Sequence, residues 1–418
     1  MACLACVCLA SAALAQDEPQ GPIDLYGDQL PTVSQPQERV WLDAEYLLWW
    51  ERNMPVPGVM LTTTSDPARA GILGRPGTSI ILDDDGFDSK NHSGFRATIG
   101  VWINPDVFGV EAGGFVLETH TVHFWRDTDR LGNPLLARPF FNTLTGMEDA
   151  QVISLPSTYG PFVGARGGVD GSVFGGIDFF SDTRVWGGQG NLVFGLRQFP
   201  GRLELLAGFR YLGLEDQLRS SQSSTIDMAN SSFMPRPLAL NGGFVPGPDI
   251  VSITDRARTR NEFFGGQMGL RGSWSWGPWK LDASSVFGLG DTRQWVNITG
   301  ITEWTGPTGT FASVPAGLYA VGDNRGYYSR HHFTWMTEEN VKIGYNLTQR
   351  ATVNVGFAVL SWSGVLRAGD QLQRAIDPRT VPSNLAYDPT VRGTAPQQAF
   401  VTSDFWALGL TAGFEIRY

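Results

Sequence analysis

Residues 404–418, DFWALGLTAGFEIRY, alternate without a break. Trp406, Leu408, Leu410, Ala412, Phe414, Ile416 and Tyr418 fall in one phase, and Gly409, Thr411, Gly413, Glu415 and Arg417 in the other. Side chains of an extended chain point to opposite faces with period two. The stretch is therefore a strand with one face apolar along its whole length and the other small, polar or charged.

Nine earlier segments share this pattern: 39–50, 94–103, 107–117, 184–196, 202–214, 262–274, 279–289, 333–345 and 351–362. Each meets the roughly 9–11 residues that a tilted membrane-spanning strand needs. The connections alternate. Short turns (NPD at 104–106, QFPG at 198–201, SWGP at 275–278, NLTQR at 346–350) follow long stretches at 51–93, 119–183, 215–261, 291–332 and 363–403. Short turns on one side and long loops on the other are the layout of an outer-membrane barrel. The expected fold is all-β, an antiparallel up-and-down transmembrane barrel of 10–12 strands with long extracellular loops. Twelve strands result if 172–180, SVFGGIDFF, hides a further hairpin. An even count leaves both termini on the periplasmic, short-turn side.

A soluble sandwich strand also alternates, but it turns a charge-rich face to water. Here the apolar phase is almost free of charge, as a lipid-facing surface must be, since a basic residue at mid-membrane costs about 2–4 kcal/mol. Glu339 is the exception, and a bulge in its strand would turn it inward. Aromatics cluster at both ends of the strands, as interfacial girdles do: Trp102, Trp274, Trp276, Trp279 and Tyr345 by short turns, and Trp49, Trp50, Phe405 and Trp406 by long loops.

The chain has 418 residues, 17% of them charged, and a formal charge of -10, which argues against nucleic acid as a partner. No stretch beyond the N-terminus approaches the roughly 18 apolar residues of a spanning helix. Residues 1–15 read as a signal peptide with Ala13 and Ala15 at its cleavage site, 16–38 as a flexible Pro/Gln-rich leader, and 39–418 as a single barrel domain. All three cysteines, Cys3, Cys6 and Cys8, lie in the signal segment, which leaves the mature chain none for disulfides or metals.

The inward phase carries opposite charges in near balance. Asp43, Glu45, Glu111, Glu204, Asp282, Glu338 and Glu415 stand against Arg96, Arg210, Arg271, Lys280, Lys342 and Arg417, so a lumen crossed by ion pairs is expected. About ten strands give a narrow bore. His120, His123, His331 and His332 fall near the loop-end rim, where histidine is more often interfacial than catalytic. The acidic run 82–88, LDDDGFD, lacks the spacing of an EF-hand calcium loop. No catalytic residue, cofactor or metal is assigned.

Five stretches, AEYLLWW (44–50), RPFFNTLTG (138–146), GFRYLGLED (208–216), RNEFFGGQMGLRG (260–272) and VLRAGDQLQR (365–374), together resemble the beta-barrel porin-7 family of planctomycete outer membranes. The resemblance runs from about Val40 to Tyr418. It implies an outer-membrane barrel, carries no catalytic residues, and takes "porin" from architecture.

The function expected is a porin-like passive channel for small solutes or ions through a narrow charged lumen. The alternative is a surface-structural or adhesive barrel with a plugged lumen and long binding loops. An omptin-like barrel hydrolase comes third, and no enzymatic activity is expected. The partners expected are outer-membrane lipid, the barrel-assembly machinery, for which Phe414, Ile416 and Tyr418 resemble a C-terminal signal, and small solutes.

Overall fold

The computed structural model describes residues 39–83, 91–156, 173–197, 201–226, 239–245, 248–306, 309–398 and 400–418. The signal segment, the leader and the acidic residues Asp84 to Asp88 lie outside these. Ten staves form the wall: β1 (Val40–Glu51), β2 (His92–Asn104), β3 (Phe108–Leu117, continued by His120–Asp127), β4 (Val173–Arg197), β5 (Arg202–Ile226), β6 (Ile250–Trp276), β7 (Trp279–Gly306), β8 (Gly326–Asn346), β9 (Ala351–Leu366) and β10 (Thr402–Arg417). Each is antiparallel to its predecessor. β10 returns to pair with β1 from Trp41↔Arg417 to Glu51↔Ala407, which closes the ring. Closure is what lipid demands, because an open sheet edge would leave a row of backbone groups unsatisfied.

All ten expected segments are staves; with His120–Asp127 counted separately and Gly309–Val314 paired to the upper end of β7, the sheet has twelve strands among the described residues. Residues 173–180 form no hairpin. They are the outer end of β4, in continuous register with β5 from Phe174↔Thr225 to Phe180↔Arg219. The long connections are also shorter than the sequence suggested, since β4 to β7 run 25, 25, 27 and 28 residues. Their upper halves have inverted polarity. Leu218, Val251, Ile253, Ala257, Val296 and Ile298 face inward and are buried, while the alternate positions carry Arg, Glu, Asn and Thr toward water. A search for an apolar outer face stops where that face turns polar, although the strand continues.

The outer face of the lower wall is an apolar band. On β8 it runs from Tyr345 through Ile343, Val341 and Trp335 to Phe333, all exposed. At ~3.3 Å per residue and ~45° tilt this spans about 28 Å, the thickness of a bilayer core. Trp274, Trp276 and Trp279 ring the short-turn end, where Gly277 (φ +57°) and Pro278 make a two-residue turn whose first position needs a positive φ. Trp102 is not in the girdle: it lies 5.3 Å from Trp41 inside the barrel. Trp49 and Phe405 also point inward and are fully buried, because chain neighbours on a strand face opposite ways and Trp50 and Trp406 take the lipid side.

No bulge rescues Glu339. It faces outward opposite Ser285 of β7, whose hydroxyl donates to it at 2.9 Å, and it sits midway between Tyr345 and Phe333. Glu339→Leu should therefore stabilise the barrel by about 1–2 kcal/mol, below the cost of a basic residue at that depth. Urea unfolding in lipid vesicles measures this, and an unchanged or lower midpoint would contradict a lipid-exposed carboxylate.

Above the band, the segments between strands fold back into the wall. A small sheet of Leu61–Thr64, Thr78–Leu82, Leu135–Asn142, Met147–Val152 and Ala375–Ile376 packs there with Leu318, Tyr319 and Ala320 against inward residues of β4 to β7. Met60, Leu61, Leu136, Ile153, Leu318 and Tyr319 are completely buried, so this cap has a hydrophobic core of its own, shared with the wall.

Candidate functional site

Alternation turns every second residue of the lower wall inward, and the charged ones meet across the bore. All thirteen lumen residues named from the sequence line one cavity: Asp43, Glu45, Arg96, Glu111, Glu204, Arg210, Arg271, Lys280, Asp282, Glu338, Lys342, Glu415 and Arg417. Lys342 of β8 reaches Asp43 (2.6 Å) and Glu45 (2.7 Å) of β1. Arg271 of β6 reaches Glu111 of β3 (2.8 Å) and Glu204 of β5 (2.6 Å). Lys280 of β7 reaches Glu415 of β10 (2.6 Å), which also pairs with Arg417. Glu338 of β8 is the central brace. It binds Arg96 of β2 at 2.6 Å and Arg210 of β5, and so links three separated parts of the wall.

One cation of this layer has no counterpart in the sequence reading. Arg202 pairs with Glu204 (2.5 Å) and Asp106 (3.3 Å) beneath the stacked Trp102. Its placement at i−2 from an inward glutamate was the available signal. With Arg202 the layer holds seven acids and seven bases, each within ion-pair range of an opposite charge. The space left is about 140 Å³. That is room for on the order of ten waters.

Above this layer the bore is apolar. Leu47, Trp49, Phe115, Leu117, Val185, Leu212, Leu214, Phe263, Met336, Leu360, Trp362 and Phe405 form one buried cluster drawn from eight of the ten staves. Arg96 joins the two layers, its guanidinium 5.2 Å from the Trp49 ring. The sequence marks this layer as a failure of alternation. In YLLWW (46–50), FVL (115–117) and FF (263–264) both phases are apolar, as they are in strands covered on both faces.

Over the apolar layer sits the cap, held to the wall by two ion pairs. Arg138 of the cap binds Asp255 of β6 at 2.7 Å, with both side chains fully buried. The other oxygen of Asp255 accepts from the backbone N–H groups of Leu318, Tyr319 and Ala320 at 2.9, 2.9 and 2.8 Å. Arg138 lies over the Tyr319 ring, and burial pushes that phenol above its usual range. Arg367 pairs with Asp216 of β5, also fully buried, and Asn261 of β6 both donates to and accepts from the backbone of Leu366 at 2.8 Å.

A family model described as "Putative beta barrel porin-7" matches residues 41–418. The chain belongs to this family. The stretches that carried the resemblance hold the cap in place: Arg138 lies in 138–146, Asp216 in 208–216, Asn261 in 260–272 and Arg367 in 365–374. As a porin-7 barrel it is an outer-membrane protein. It is similar to the outer membrane protease OmpT from Escherichia coli at 10% identity and a TM-score of 0.35, covering 93% of this chain and 99% of that one. It is also similar to the toluene transporter TodX from Pseudomonas putida at 6% identity and a TM-score of 0.20, covering 94% of each chain. No curated protein matches the chain.

The rim histidines of this porin-7 member do not converge. His123 of β3 is 3.0 Å from Asp178 and stacks on Phe180, outside the wall. His331 of β8 is 2.6 Å from Asp291, also outside and five staves away around the ring. His120 instead faces His92, with ring centroids 4.4 Å apart, and His92 lies 3.4 Å from the buried Glu51. Among the described residues no group of three or more His, Cys, Asp and Glu is arranged to hold a metal ion. Phe414 and Ile416 are exposed on the lipid side of β10, and Tyr418, just past its end, is exposed as well.

Proposed function

We propose that this porin-7 member is a closed, surface-structural outer-membrane barrel, with its termini periplasmic and its cap presented to the outside. One observation carries this reading: the apolar layer around Trp49, Phe263, Trp362 and Phe405 lies between a charge-neutral lower lumen and a packed cap. A hydrated ion crossing it would shed water in an unpolar constriction, at a cost of several kcal/mol or more. The neutral network below favours the same reading, since a conducting pore gains from unpaired charges of one sign. No enzymatic role is assigned, because the two exposed His/Asp pairs lie on the outer face five staves apart around the ring. In this reading residues 1–15 direct export, and Phe414, Ile416 and Tyr418 engage the assembly machinery.

The second reading, a narrow passive channel for small ions, is favoured by the polar lining of the 140 Å³ cavity. Planar bilayers separate the two. Purified full-length protein should give no reproducible conductance steps, and steady steps that scale with salt would overturn the closed barrel in favour of the channel. Orientation has its own test, because the mature segment carries no cysteine. Thr390→Cys on the cap should react with an impermeant maleimide on intact cells and Gln349→Cys in a short turn should not, and the reverse pattern would invert the orientation.

A further inference from the structure

Immediately above the lipid-facing band, the outer surface of β4 to β7 is strongly basic in a chain that is acidic overall. Beyond Phe264, where the apolar band ends on β6, the next outward positions read Glu262, Arg260, Arg258 and Arg256. Cross-strand register sets Arg293 beside Glu262, Arg260 opposite Glu215, Arg184 opposite Glu215 from the other side, and Arg256 opposite Arg219. These four rows hold six arginines, all exposed, against Asp182, Glu215 and Glu262, with Asp291 and Asp178 in the rows that border them below and above.

Aromatic rings hold the guanidinium groups in place. Arg184 lies over Trp186 (5.4 Å), Arg293 over Trp295 (4.7 Å) and Arg219 over Phe180 (4.6 Å), and Arg260 lies between Trp186 and Trp295, 5.9 Å from each. Among the described residues no carboxylate is within ion-pair range of Arg184, Arg219, Arg256 or Arg293. Arg258 and Arg260, paired with Glu215 and Glu262, stay 53% and 48% exposed. Repulsion between these neighbouring cations is a standing cost that an anion would relieve.

We infer that this patch binds a phosphorylated glycolipid headgroup of the outer leaflet. Location supplies the lipid: the arginines rise directly from the band that touches acyl chains. Charge supplies the phosphate, which a planar guanidinium grips by two parallel hydrogen bonds. Height supplies the sugar. At ~3.3 Å per residue and ~45° tilt, the patch extends about 5–20 Å above Phe264, whereas the headgroup region of an ordinary phospholipid is only about 5–8 Å deep. A glycerophospholipid reaches the lowest row, and a phosphorylated saccharide headgroup reaches them all. The assignment to the outer leaflet rests on the orientation proposed above. The binding does not, so failure of surface labelling and failure of lipid binding are distinguishable.

The test uses full-length protein in detergent micelles, titrated by native mass spectrometry with bis-phosphorylated lipid A, its dephosphorylated form and phosphatidylglycerol. Bis-phosphorylated lipid A should bind at least tenfold more tightly than either comparison lipid, and the preference should shrink as salt rises. Arg258→Gln, Arg260→Gln and Arg293→Gln combined should abolish most of that preference while Arg350→Gln, in a short turn, leaves it intact. Heat-modifiable migration on gels shows that the variants are folded, and the lipid comparison on unaltered protein needs no variant. Equal affinity for phosphorylated and dephosphorylated lipid A overturns the inference. So does competition by inorganic phosphate at the same concentration as the lipid, which would make the patch a free-anion site.

Discussion

Glu338→Leu should destabilise the barrel more than any other single change in the lower lumen, by about 3–5 kcal/mol, as expected when a buried ion pair loses one partner. The carboxylate serves two cations. Without it Arg210, with 3% of its side chain exposed, keeps its hydrogen bond to Gln189 and its place over the Phe115 ring but has no other carboxylate within ion-pair range among the described residues. Arg96 keeps Asn340 at 2.9 Å and a longer contact to Glu45 at 3.7 Å. The loss should be read as a lowered urea midpoint in micelles. Adding Arg210→Leu should recover much of it, because the double variant replaces a broken pair with apolar surface, and a double-mutant cycle isolates that coupling. A Glu338→Leu barrel within about 0.5 kcal/mol of the parent would mean that water solvates both guanidinium groups well. The lumen would then be wet enough to conduct, and the passive-channel reading would gain.

This brace shows where the sequence was readable and where it was not. Strand existence was legible because lipid enforces an apolar phase, so even the imperfect segment 333–345 with Glu339 was found. The inward charges were legible for the same reason, as the complement of that phase. Which charges meet was not legible. Glu338 binds Arg96 and Arg210, 242 and 128 residues away, and that pairing depends on strand tilt and register, which no local pattern encodes. The cap was hidden for a different reason. Its residues sit in irregular segments with short strands, and Arg138 and Arg367 look like ordinary surface arginines until the fold buries them completely. Leu218, Val251 and Ile253 went unread because their strands reverse polarity once they leave the membrane.

Asp255→Ala should release the cap and leave the barrel standing. The wild-type carboxylate neutralises a fully buried Arg138 and accepts three backbone N–H groups. Removing it strands one charge and three donors at once, so the local cost is about 3–5 kcal/mol for the charge alone, with further loss for each orphaned amide. That is comparable to the whole stability of a small packed unit. Amide exchange in Leu135–Asn142 and at Leu318 to Ala320 should rise by orders of magnitude, while amides in the lower halves of β8 and β10 stay protected and heat-modifiable migration persists. Asp255→Asn, which keeps one acceptor oxygen, should give a smaller effect in the same places. Uniform loss of protection through the wall would mean instead that cap and barrel unfold as one unit. Cap release also distinguishes the two seals. With the apolar layer intact the Asp255→Ala barrel should still be silent in planar bilayers. Conductance should appear only when Trp49, Trp362 and Phe405 are also replaced by alanine. Conductance from Asp255→Ala alone would make the cap, and not the apolar layer, the element that closes the lumen.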